Sequence, residues 1–99
     1  MINHVVLFKL NDYPAEEKKA VIAEMKSLLL GLKDKIKELK FIEVGVNYEL
    51  NAKSYDIALI THFNSLEDLD KYRIHPEHQK VVARIAEITS NRAAVDYEF

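Results

Sequence analysis

In two segments of this chain, apolar side chains occupy both alternating faces of what reads as a strand. Along the first, His4, Val6, Phe8 and Leu10 share one face, and Val5 and Leu7 share the other. Along the second, Ile57, Leu59 and Phe63 face one way, and Ala58 and Ile60 the other. An antiparallel sheet covered by helices on one side only should alternate apolar with polar. A strand that is apolar on both faces needs cover on both. This chain has 99 residues, enough for one domain. Its remaining segments supply helices for one face only.

The other elements follow from local signals. The first strand is expected over Asn3 to Leu10. Pro14 suits a first helical turn, and Glu16 and Glu17 suit the positive end of a helix dipole. Val21, Ile22, Met25, Leu28, Leu29 and Leu32 follow at helical spacing, so a helix is expected from Ala15 to Leu30, ended or disrupted at Gly31. The stretch Leu32 to Leu39 reads either as a helical turn or as an extended lead-in. Lys40 to Tyr48 reads as a second strand, with Gly45 suggesting a bulge or a close backbone approach. Asn51 to Ser54 is a polar loop, and Tyr55 to Phe63 is the third strand.

Ser65, Leu66, Glu67 and Asp68 resemble a capping box, with Asp in place of the usual Glu or Gln. A short helix is expected from Leu66 to Arg73. Pro76 is poorly tolerated inside a helix but favoured at its first position, so a new helix is expected from Pro76 to Ile88, carrying Val81, Val82, Ile85 and Ile88 inward. Ala93 to Phe99 alternates as a fourth strand. The order is β-α-β-β-α-β, the ferredoxin-like α+β arrangement of a four-stranded antiparallel sheet with helices on one face. The uncovered face implies a homodimer packed sheet against sheet.

Charge and composition narrow the function classes. The net charge of −2 gives no electrostatic reason to expect nucleic acid. No apolar run approaches the roughly 20 residues that span a bilayer, so no membrane span is expected. The first residues lack a basic stretch and enter a strand at once, unlike a signal peptide. There are no cysteines, which removes thiolate chemistry and fits a reducing, cytoplasmic setting.

Chemistry concentrates in Tyr72-Arg73-Ile74-His75-Pro76-Glu77-His78, which holds two of the four histidines, with His4 on the first strand. If Pro76 opens a helix, His75 is its N-cap and His78 lies in its first turn. The helix dipole there disfavours a charged imidazole and biases His78 to its neutral, proton-accepting form. Tyr72, closing the preceding helix, can return across the junction as a hydrogen-bond donor. That set suits proton abstraction next to a carbonyl without a cofactor. The bland alternative is that His75 and Pro76 only cap the helix while His78 and Tyr72 satisfy each other. A metal set of His75, His78, Glu77 and His4 has poor geometry, because an N-cap and a first-turn side chain diverge, and no metal is expected. His62, between Thr61 and Phe63, reads as a surface or interface residue.

The run His4-Val5-Val6-Leu7-Phe8-Lys9-Leu10, the segment Glu43-Val44-Gly45-Val46-Asn47, and Tyr72-x-x-His75-Pro76-x-His78 together resemble the stress-responsive A/B barrel family. The resemblance covers almost the whole chain. It implies a dimeric α+β barrel, built when two ferredoxin-like sheets pack face to face. Many members of that family have no assigned activity. One plant member is a polyketide cyclase that closes a ring by aldol condensation, and this chain is similar to it at His4, Tyr72, His75 and His78. On that similarity His78 is the base, Tyr72 its hydrogen-bonding companion and His4 a pocket residue. Val6 and Phe8, on the strand face of His4, and His75 are expected to line the same pocket. Three functions are then expected as alternatives: a dimer binding a small apolar or carbonyl-containing molecule between sheet and helices, a cofactor-free cyclase or lyase, and a purely structural or interaction dimer.

Overall fold

The alternation read along the first strand is realised residue by residue. In a computed structural model that describes residues 1–50 and 53–99, strand β1 (Ile2–Leu10) buries every second side chain, and Ile2, His4, Val6, Phe8 and Leu10 point under the helices. It is followed by α1 (Ala15–Leu30), β2 (Phe41–Val46), β3 (Ile57–Phe63), α2 (Leu66–Ile74), α3 (Pro76–Ile88) and β4 (Thr89–Glu98). The strands form one antiparallel sheet in the order β2-β3-β1-β4. This is the ferredoxin-like α+β fold. The expected polar loop at Asn51 to Ser54 lies partly outside the described residues, which omit 51 and 52.

Each helix start has a local cause. Pro14 stands just before α1, and its carbonyl accepts from the Lys18 N–H at 2.8 Å. Ser65 caps α2 through its hydroxyl, which accepts from the Asp68 N–H at 3.1 Å. His75 caps α3 in the same manner, its Nδ1 accepting from the Glu77 N–H at 3.1 Å, and Pro76 follows at the first helical position. α1 ends at Leu30, with Gly31 as its C-cap, as expected. The glycine keeps right-handed helical angles, and the chain tightens into a 3-10 turn over Gly31–Asp34 that drives Leu32 into the core. Ile36 and Leu39 follow it inward, so the ambiguous segment begins as a helical turn, of 3-10 type, and is anchored by three buried side chains.

The core fills the space between the sheet and the three helices. Met25, Phe63, Leu69 and Tyr72 are fully enclosed there. One carboxylate is buried with them, at the far end of the sheet. Asp56 accepts from the Leu10 backbone N–H at 2.9 Å and pairs with Lys9 at 3.4 Å and Lys18 at 3.9 Å, so its charge is compensated. It ties the end of β1 to the start of α1.

Three local expectations are corrected. Gly45 makes no bulge: β2 pairs regularly with β3 through Gly45 and Ala58, and a Cβ at Gly45 would meet nothing within 4 Å. The register shift lies instead between Lys9 and Leu10, where β1 meets β4. That irregularity lets β4 begin at Thr89, directly off α3, four residues before the expected Ala93. Val82 is not carried inward. It is 43 % exposed, because α3 turns only the Val81, Ile85 and Ile88 stripe to the core.

The second face of the sheet has no cover among the described residues. Phe41, Val95, Tyr97 and Phe99 are exposed on it, beside the half-buried Val5, Leu7 and Ile60. His62 sits in this face, with the rings of Phe41 and Phe99 on it at 4.5 and 4.7 Å. No helix among the described residues is long and apolar enough to cross a membrane.

Candidate functional site

A cavity of about 360 Å³ opens between the sheet and α3, within the range of small-molecule sites. Val6, Phe8 and Leu59 form its floor, and Val81, Val82 and Ile85 of α3 form its wall. Polar groups gather toward its two ends. His4, Tyr72 and His78 line it, brought from strand β1, the last turn of α2 and the first turn of α3. Of the residues singled out by sequence, His4, Val6, Phe8, Tyr72 and His78 therefore meet in one cavity. His75 does not. Its ring is used as the N-cap of α3, which turns it away to the opposite side of the junction, beside Lys35, Lys71 and Ile74. The pocket role expected for His75 is replaced by a capping role.

The rings form a tilted cluster at the α2–α3 junction. The Tyr72 and His78 centroids are 4.1 Å apart, Tyr72 and Phe63 are 4.9 Å apart, and His4 meets the edge of Tyr72 at 6.3 Å. Tyr72 is fully enclosed, and its hydroxyl is a buried polar atom with no hydrogen-bond partner among the described residues. It does not bond to His78, so the mutual satisfaction allowed by the sequence is not what occurs. Burial pushes the phenol up to about 12, so it stays protonated and can only be a neutral donor or acceptor near neutral pH.

His78 is oriented by the backbone. Its Nδ1 lies 3.1 Å from the carbonyl oxygen of Arg73. A carbonyl only accepts, so Nδ1 carries the proton and, in the neutral ring, Nε2 keeps the free lone pair. Burial holds its pKa below the usual imidazole value, opposed by the Arg73 carbonyl and helped by the nearby charges of His4, Arg92 and His75. The neutral state read from the helix dipole is thus supplied first by desolvation.

His4 is held by a partner that sequence reasoning did not identify. Asp96 stands opposite it in the β1–β4 register, and its Oδ1 accepts from His4 Nδ1. The other carboxylate oxygen accepts from Arg73 at 2.7 Å, and Arg73 also reaches Asp70 at 3.0 Å. The order is therefore imidazole, carboxylate, guanidinium, carboxylate. A signal existed: Asp is depleted from strand interiors, and Asp96 alternates between Val95 and Tyr97. Arg92 was also missed. It lies opposite Phe8 on the same face of β4 and lines the cavity.

The cavity thus combines an apolar lining, a buried hydroxyl without a partner among the described residues, and a histidine whose neutral ring keeps its lone pair at Nε2. Among the described residues no group of three or more His, Cys, Asp or Glu side chains is arranged to hold a metal.

The chain as a whole has relatives among known proteins. The family described as "Stress responsive A/B Barrel Domain" matches residues 2–99. An uncharacterised protein of Streptomyces coelicolor is 35% identical over 99 residues, covering 100% of both chains. A dimeric protein of unknown function and ferredoxin-like fold from Bacteroides fragilis superposes with a TM-score of 0.89 at 41% identity, covering 99% of this chain and 95% of that one. A hydroxynitrile lyase from Passiflora edulis superposes with a TM-score of 0.81 over 97% of this chain and 90% of its own, but at 14% identity that likeness is one of fold.

Proposed function

We propose that this chain, which belongs to the stress responsive A/B barrel domain family, works as a homodimer whose subunits each bind a small, largely apolar molecule bearing a carbonyl oxygen. The observation that carries this reading is the unpartnered Tyr72 hydroxyl beside a cavity of about 360 Å³. A buried hydroxyl without a partner costs about 1–3 kcal/mol, and a ligand oxygen offsets that cost. The dimer rests on the exposed second face of the sheet and on the dimeric relative from Bacteroides fragilis. The test is an NMR titration of labelled protein with 2-nonanone, a neutral apolar ketone. Saturable shifts at the amides of Val6, Leu59, Val81 and Ile85 are expected, and their absence would rule the reading out.

A second reading is favoured by the tautomer of His78. With Nδ1–H bound to the Arg73 carbonyl, Nε2 is the basic atom, and the ring is held neutral by burial. In a cofactor-free lyase or cyclase, Nε2 takes a proton from the carbon next to the ligand carbonyl. The C–H electron pair moves to form the enolate, whose oxygen accepts from the Tyr72 hydroxyl. His4 stays in place through Asp96 and borders the same space. The same ketone in heavy water separates the two readings. Deuterium entering next to the carbonyl faster than in buffer, and lost in His78→Gln, supports catalysis. Binding without exchange leaves a binding protein.

A further inference from the structure

Arg92 sets this cavity apart from a simple apolar pocket. Two arginines line it, and they differ in state. Arg73 is committed to Asp96 and Asp70. The Arg92 guanidinium makes no hydrogen bond or ion pair with any described residue, and its backbone N–H alone is engaged, with the Asn91 side chain. It stands on β4 opposite Phe8, on the cavity face, four residues of strand away from the level of His4 and Asp96. At strand rise that separates the two levels by about 13 Å. The cavity is therefore polar at two places, with an apolar middle of Val6, Leu59 and Val81 between them.

We infer that the natural ligand is an amphipathic acid, with a monoanionic head group, a carboxylate in the simplest case, held at the cavity mouth by Arg92. The inference rests on the small-molecule reading above and adds the chemical class of the ligand. Three features support it. A guanidinium is matched to a carboxylate by its planar pair of donors. No described residue neutralises it. Among the described residues, the nearest carboxylate on its strand face is Asp96, about 13 Å away and already bound to both His4 and Arg73. One cation without a partner among the described cavity residues suits one negative charge and not a polyphosphate. The head group at Arg92 directs the apolar body along Val6 and leaves any oxygen at the far end to Tyr72.

The test compares two probes of equal chain length, octanoate and 1-octanol, by NMR titration of the labelled full chain. The wild type is expected to bind octanoate at least about tenfold more tightly, in line with a charge-assisted bond at a partly exposed site. Arg92→Gln should bring octanoate down to the level of 1-octanol without altering 1-octanol, and Arg92→Lys should keep part of the preference. Arg92 is exposed and contributes no packing to the core, so both variants should remain folded. Equal affinity of the two probes in the wild type, with cavity amides shifting for both, overturns the acid inference and leaves the small-molecule reading standing. A preference for octanoate that survives Arg92→Gln overturns the role of Arg92. Neither probe shifting the cavity amides overturns the small-molecule reading and the inference with it.

Discussion

The phenol of Tyr72 lies 4.1 Å, centroid to centroid, from the imidazole of His78, yet its hydroxyl reaches no polar atom of the described protein. The two rings pack at a tilt of 37° without a hydrogen bond between them. Nδ1 of His78 is occupied by the Arg73 carbonyl, which directs the chemistry to Nε2. A pair that satisfied itself would be a core feature. This pair leaves a buried donor and a basic nitrogen beside the same cavity.

Tyr72→Phe should therefore stabilise the empty protein, by about 1 kcal/mol, since it removes a desolvated hydroxyl that gains nothing in return. The same change should weaken binding of a carbonyl ligand. Urea denaturation measures the first effect and titration with 2-nonanone the second. A loss of stability of similar size would show that the hydroxyl is already satisfied.

The lowered pKa of His78 gives a signed pH dependence. Burial disfavours the charged ring, so the folded state takes up its proton at lower pH than the unfolded chain. The associated stability is fully present above about 6.5, the unfolded value, and is lost as pH falls through the folded value. His78→Gln should flatten that part of the stability–pH curve. An NMR titration of the His78 ring should place its midpoint below 6.5, and a midpoint above it would contradict the desolvated site.

Asp96→Asn should cost about 1–3 kcal/mol, because it removes the charge that accepts from both His4 and Arg73. His4 is the buried partner and Arg73 the exposed one, so the loss should be felt mainly at His4. Asn in place of Asp keeps the shape and one accepting oxygen. Denaturation gives the energy, and the shift of the His4 ring resonances shows whether the imidazole has turned. Unchanged His4 resonances would mean that Asp96 does not orient it.

For the homodimer, light scattering at micromolar concentration should report about twice the 11.5 kDa chain mass. The uncovered face of the sheet must then bury more than about 1,000 Å² in total. Ile60→Lys places a charge in the middle of that face without entering the core, and should shift the protein to monomer. A wild-type monomer with Val5 and Leu7 in water would remove the dimer.

Elements whose signals are local could be read directly. The start of α3 at Pro76 follows from proline's missing N–H and fixed φ, and α1 from apolar residues recurring at helical spacing. The two-faced pattern of β1 and β3 anticipated a sheet with one face left bare. Even His75 as N-cap followed from its place before Pro76. Gly45 misled because a glycine in a strand signals permission, not use: the backbone can bulge there, and here it stays regular.

The sequence by itself determined the elements, their order and which strand faces turn inward, because helical period, strand alternation and caps act over a few residues. The site's wiring was decided by tertiary structure alone. His4 meets Asp96 across 92 residues of chain, through the register of β1 against β4, and a one-residue slip would have sent Asp96 to the other face. Arg92 reaches the cavity by the same register. The isolation of the Tyr72 hydroxyl depends on what packs around it from three separate elements, which no spacing along the chain encodes.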